Sequence, residues 1–260
     1  YENTYMYFYT SQTVTGLQVE TKVTGAIVRV TSEVPVIYWS VDFGEGNYSD
    51  AYYSQFAGII EDANYEIKEL NLKTEEIPED AAVVLFMNPT EDMSAEVADK
   101  MLKWFNHGGK AFFFMDAKDA KGNYIYESFD NFNTVLEHFA LRINNDIVNE
   151  CDEYRYADDS DAIFKTKSIS AGSLEKQENT DIYVLNTRSI DILDTTNSYQ
   201  EPEAILATSN EATATSLEDD SIVSVGKKIV GASSRRTDGT AVSHVVLFGS
   251  GANLQVIKMI

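Results

Sequence analysis

Four polar residues hold most of the chemistry this sequence can offer: Asp42, Glu45, Asn88 and Asp116. Each follows an apolar run short enough to be a strand buried on both faces, at residues 34–41, 81–87 and 111–115. In an open α/β sheet, ligands bind in the crevice at the C-terminal ends of the strands. The loops at 42–47, 88–90 and 116–119 therefore converge, and residues 249–251 join them if the last strand belongs to the same sheet. On this reading Asp42, Glu45, Asn88 and Asp116 bind a ligand. Three are carboxylates, which serve as acid, base or metal ligand only where their environments push their pKa values apart. The plainer alternative makes all four ordinary loop and turn residues.

Other catalytic arrangements fail one by one. No Gly-x-Ser-x-Gly elbow follows a strand, since residues 111–115 run straight into Asp116 and Gly249-Ser250-Gly251 lacks the spacing. Cys151 is the only cysteine, so neither an intrachain disulfide nor a thiolate metal cluster is available, and a buried structural thiol is expected. The histidines at 107, 138 and 244 have no metal-ligand spacing; His107 falls at a helix C-terminus, where an imidazolium complements the dipole. Residues 158–161 are dense in carboxylates yet lack the glycine and distal glutamate of a calcium loop, and read as a solvated acidic turn. Gly44-x-Gly46 and Gly249-x-Gly251 are neither Walker loops nor dinucleotide fingerprints. The sequence thus predicts a non-enzyme with no cofactor and no metal. Two further readings stand beside it: a hydrolase or transferase using Asp42, Glu45 and Asp116, and a glycan- or peptide-binding module using the tyrosines, notably Tyr48, Tyr52, Tyr53, Tyr124 and Tyr126, against simple packing.

The elements that position these residues are clearest at 81–116. An apolar strand ends at Asn88-Pro89, Ser94 caps a helix, and Glu96 sits where the dipole favours an anion. Val97, Met101, Leu102 and Phe105 form one helical face, Gly108-Gly109 stops the helix, and a second apolar strand follows. This βαβ unit calls for parallel strands and an α/β fold. Strands are also expected at 34–41, 65–72, 182–185, 204–207 and 222–225, with a hairpin of 228–233 and 244–248 around Asp238-Gly239. Helices are expected from Ser49 or Asp50 to Asp62 and over 129–140. The domain reading is an N-terminal extended segment with a lead-in helix at 1–32, then one α/β domain at 33–260. Its middle, about 149–225, is acidic and loop-rich.

The net charge of −22 over 260 residues repels phosphate backbones, so no nucleic-acid partner is expected. No apolar run is long enough to span a bilayer and no signal peptide is visible. The abrupt start at Tyr1 and the stop at Lys258-Met259-Ile260 read as a segment cut from a longer chain.

Several segments, in order, resemble the extracytoplasmic auxiliary domain of ABC-type transport systems, the family that includes the gliding-motility auxiliary subunit. They are residues 24–33 (TGAIVRVTSE), Asp42-Phe43-Gly44-Glu45, residues 65–72 and 77–81, the strand–helix–strand ending at Asp116, and Asn145-Asp146-Ile147-Val148. The family's Gly-His-Gly-Glu-like loop survives here without its first glycine and its histidine. Agreement covers about residues 20–150 and is faint beyond. The resemblance implies a Rossmann-like, largely parallel sheet with helices on both faces, similar to class I glutamine amidotransferases without their cysteine. It also implies an extracytoplasmic setting, tethering by transmembrane helices outside this chain, and permease and ATPase subunits as partners.

Overall fold

The computed structural model of the protein describes residues 34–51, 53–157, 160–168, 182–195 and 199–251. The N-terminal segment and lead-in helix expected over 1–32, the motif at 24–33, Tyr52, Asp158 and Asp159 lie outside the described residues. The first half alternates strand and helix: β1 (Val36–Ser40), α1 (Ser54–Asp62), β2 (Glu66–Leu70), β3 (Ala81–Met87), α2 (Ala95–Phe105), β4 (Lys110–Phe114) and α3 (Asp130–Glu137). The rest is nearly all strand: β5 (Leu141–Ile143), β6 (Asp146–Asn149), β7 (Tyr156–Ala157), β8 (Ser160–Ser168), β9 (Ile182–Leu185) and β10 (Ile190–Ile192). It closes with β11 (Gln200–Ala207), β12 (Thr213–Ser216), β13 (Ile222–Val225), β14 (Ile229–Asp238) and β15 (Ala241–Phe248).

The main sheet runs β2-β1-β3-β4-β15-β14-β11-β8-β7. Pairs from β2 to β15 are parallel. From β15 outward every pair is antiparallel. A small second sheet has the order β13-β12-β6. The expected Rossmann-like, largely parallel fold is therefore corrected: this is a mostly β protein built on a mixed sheet, with three α-helices among the described residues. The likeness to an amidotransferase fold falls with it. The physical reason lies after α3. Among the described residues of 141–248 there is no further α-helix to carry a crossover between parallel strands, and the strands there pair antiparallel with one another. The Asp238-Gly239 hairpin is the pivot, since β15 joins the parallel set while β14 reverses it.

The βαβ unit forms as its residues dictate. Ser94 Oγ accepts the Val97 N–H at 3.3 Å, and Glu96 lies in the first turn of α2. Val97, Met101 and Phe105 are buried. Gly108 takes φ +91° to end the helix, and a Cβ on Gly109 would strike the Trp104 ring at 2.4 Å. Beneath the strand ends, Phe86 and Phe113 stack at 4.8 Å, and Phe132 of α3 meets both edge-on. The expected capping of α1 is corrected: its N-cap is Tyr53, whose side chain makes no capping bond, while Asp50 Oδ2 accepts from Asn47 N–H. Asp50 organises the turn before the helix instead.

Candidate functional site

The loops after β1, β3, β4 and β15 do converge, because all four strands are parallel members of one sheet. Phe43 O accepts the N–H groups of Thr90 and Glu91 at 2.8 and 3.0 Å. Gly44, at φ +75°, lies so close to Thr90 that a Cβ would come within 2.0 Å of Oγ1. These two loops are packed on one another.

Asn88 and Asp116 are brought together, and both are buried. Asn88 sits at φ +57°, in the left-handed region that asparagine tolerates. Its Oδ1 accepts the Asp116 N–H at 3.0 Å and its Nδ2 donates to Lys118 O at 3.2 Å. Asp116 Oδ1 accepts the Gly251 N–H, so residues 249–251 join the site as the sheet order requires. Asp42 stands apart: its Oδ2 accepts the Lys73 N–H at 3.0 Å, and Lys73 Nζ donates to its carbonyl. Glu45 is the exception to this pattern of satisfied groups. Its Oε2 accepts the Phe43 N–H at 2.5 Å, but Oε1 and the nearby Ser40 Oγ are buried without a hydrogen bond of good geometry. Burial pushes the Glu45 carboxyl up, partly offset by the Ser40 hydroxyl and the Phe43 N–H.

The organising residue of this region is Arg188, fully buried between β9 and β10. Its Nε donates to Asp116 O at 3.1 Å and its Nη2 to Ile125 O at 2.5 Å. Its Nη1 reaches Asn144 O at 3.2 Å, Asn145 Oδ1 at 3.0 Å and Glu127 O at 3.5 Å. The guanidinium lies 5.0 Å from the Phe129 ring centre. Asp146, whose carboxylate takes the Ser189 N–H and hydroxyl at 2.8 and 2.6 Å, is a second anion near it. Burial pushes Asp116 up to about 7, against the pull of the Gly251 N–H, the Ser250 hydroxyl and Arg188. Burial likewise raises Asp146 and brings Arg188 down to about 10. Arg188 is thus charged at neutral pH, and Asp116 holds its proton more tightly than an ordinary carboxyl. Sequence reasoning missed Arg188. The available signal was a lone cation in residues 182–195, a strand-like stretch of small polar and apolar residues in a chain poor in cations.

The remaining expectations divide. His107 does lie just past α2, its Nδ1 2.8 Å from Lys103 O. Cys151 is exposed, which corrects the expected buried thiol; it follows Glu150, the residue that is buried, whose Oε1 accepts the Cys151 and Asp152 N–H groups at 3.0 and 3.1 Å. Among the described residues no group of three or more His, Cys, Asp or Glu is placed to hold a metal ion. No helix among them is long and apolar enough to cross a membrane.

The fold and the packed crevice define a β-rich mixed-sheet domain whose strand-end polar groups are mostly engaged by its own backbone. Residues 39–161 match the family model described as ABC-type uncharacterized transport system, which bears out the resemblance seen in the sequence and supports an auxiliary domain with a transport-associated role. No curated protein matches the chain. Among solved structures, the mmIFT52 N-terminal domain aligns with a TM-score of 0.57 at 14% identity, covering 84% of this chain and 87% of that one. At such identity the likeness is one of fold.

Proposed function

We propose that this chain is the extracytoplasmic, non-enzymatic part of an auxiliary or permease-associated subunit of an ABC transport system. It acts by holding a partner protein or a transported substrate, and segments outside this chain tether it to the membrane. One observation carries the non-enzymatic reading. In the strand-end crevice, Asn88, Asp116 and Arg188 all bind the chain's own backbone, which supports a structural role for these side chains. The transport setting rests on the family match over residues 39–161. Asn88 and Asp116 then serve mainly to close the crevice, Asp42 ties its loop to Lys73, and Glu45 is buried beside Ser40.

The test is to tag the natural full-length protein in its own cells, solubilise the membranes gently and identify what co-purifies. Permease and ATPase subunits in stoichiometric yield, with the tagged domain reached by protease from outside intact cells, are the expected result. A domain protected inside the cell, or purified without transporter subunits, overturns the proposal.

A further inference from the structure

The loop between β4 and α3 closes over a second, separate depression. Its floor is apolar: Ile147 and Leu217 are buried and pack with Ala117 in a small cluster of their own. Its wall is the pair Tyr124 and Tyr126, with ring centres 6.1 Å apart at 46°. Both residues reach solvent, Tyr124 at 43% and Tyr126 at 65% exposure. Around them the rim carries Lys118, Asn149, Asp161 and Asp220, and the cavity measures about 290 Å³. That is room for a small molecule of about one ring. Among the described residues no hydrogen bond takes the side-chain carboxylate of Asp161 or Asp220.

The loop is held in shape from behind. Asp119 Oδ1 accepts the N–H groups of Lys121 and Asn123 at 2.9 and 2.8 Å, and Gly122 takes φ +85° to complete the turn. This turn sets Lys118 across from Tyr124, with Nζ 4.4 Å from the ring centre. Behind Tyr126, Arg188 binds the carbonyls on either side, Ile125 O and Glu127 O, while Asn145 Nδ2 reaches Tyr126 O at 3.4 Å. Two exposed aromatic rings on so fixed a backbone are preorganised, and preorganisation is what lowers the cost of binding.

The rim sets one lysine against two carboxylates, so it offers donors and acceptors together. A cation would find the carboxylates but share the Tyr124 ring with Lys118, and an anion would find Lys118 but face both carboxylates. A neutral ligand with both donors and acceptors can use all three groups at once. Its acceptors face Lys118 and the Asn149 amide N–H, its donors face the two carboxylates, and an apolar ring face lies on the tyrosines. We propose that the cavity bounded by Tyr124, Tyr126, Asp161 and Asp220 is a binding site for a neutral sugar ring. This goes beyond the transport reading and does not depend on it.

The experiment is titration of the purified 260-residue chain with glucose, galactose and N-acetylglucosamine, followed by tyrosine fluorescence and by calorimetry. Choline and inorganic phosphate serve as charged probes. Saturable binding of at least one sugar with a Kd of about 1 mM is expected, on the scale of a single-ring ligand. Tyr126→Ala, at an exposed position where folding is not at stake, should weaken it at least tenfold, and Asp220→Asn should do the same. Circular dichroism checks both variants. No saturable sugar binding by the wild-type chain overturns the assignment, as does binding unchanged in both variants or tighter binding of choline or phosphate.

Discussion

At the residue scale the decisive feature is one buried guanidinium that gathers four backbone carbonyls beside two buried carboxyl groups. Replacing Arg188 by Met removes donors from four backbone carbonyls and takes away the positive charge nearest the buried Asp116 and Asp146. A loss of about 3 kcal/mol or more is expected in urea unfolding, since each buried carbonyl left without its donor costs about 1–3 kcal/mol. Lysine cannot stand in, because a point charge does not reach donors in a fork. Asp116 carries a separate prediction about pH. Its folded pKa of about 7 lies above its ordinary 3.8, so the folded state holds a proton that the unfolded chain releases. The stability tied to that proton is complete below pH 4 and is lost as pH rises through 7. Asp116→Asn keeps an oxygen for the Gly251 N–H and has no proton to lose. Thermal melts from pH 4 to 8 should therefore show the wild-type chain losing ground steadily against the variant. Parallel melting curves would show that Asp116 ionises freely in the fold.

At the element scale, much of the first half was legible because each piece carried its own signal. Residues 81–114 gave an apolar run, a serine cap, a helical stripe, a glycine stop and a second apolar run, and every one is found in place. Ser94→Ala should cost about 1 kcal/mol, the usual worth of such a cap, and denaturant titration measures it. Strands β8, β10 and β12 were not legible. They are short or carry charged residues on exposed positions, so neither an apolar run nor a clean alternation marks them. Their pairing is decided by distant partners. Strand β13 was read correctly and poses a different problem. It lies at the edge of its sheet with Ile222, Val223 and Val225 exposed, at 63%, 57% and 71%. Such an edge invites pairing with another chain. The double variant Ile222→Lys, Val225→Lys should scatter less light on heating while unfolding at nearly the same urea concentration.

At the scale of the whole molecule, the net charge of −22 acts against compactness. Raising salt from about 0.01 M to about 1 M shortens the screening length from about 30 Å to about 3 Å. The melting temperature should climb by several degrees over that range, whereas a flat response would mean that the Asp and Glu side chains are already too dispersed to repel. The strand-end crevice was anticipated because it follows from parallel strand order alone. Its closure was not, because Arg188 and Gly251 come from far along the chain and no local pattern announces such a meeting. The antiparallel half was misjudged for a related reason: a strong local unit at 81–116 says nothing about what is added beside it. What is added there is β15, which sits between β4 and β14 in the middle of the sheet. A chain made or threaded from its N-terminus has β1 to β4 ready early, yet β4 waits with a bare edge until residues 241–248 are delivered. The keystone arrives after nearly everything it locks. The sheet cannot be sealed on a partly delivered chain, and until then the edge of β4 is open to pairing with other strands.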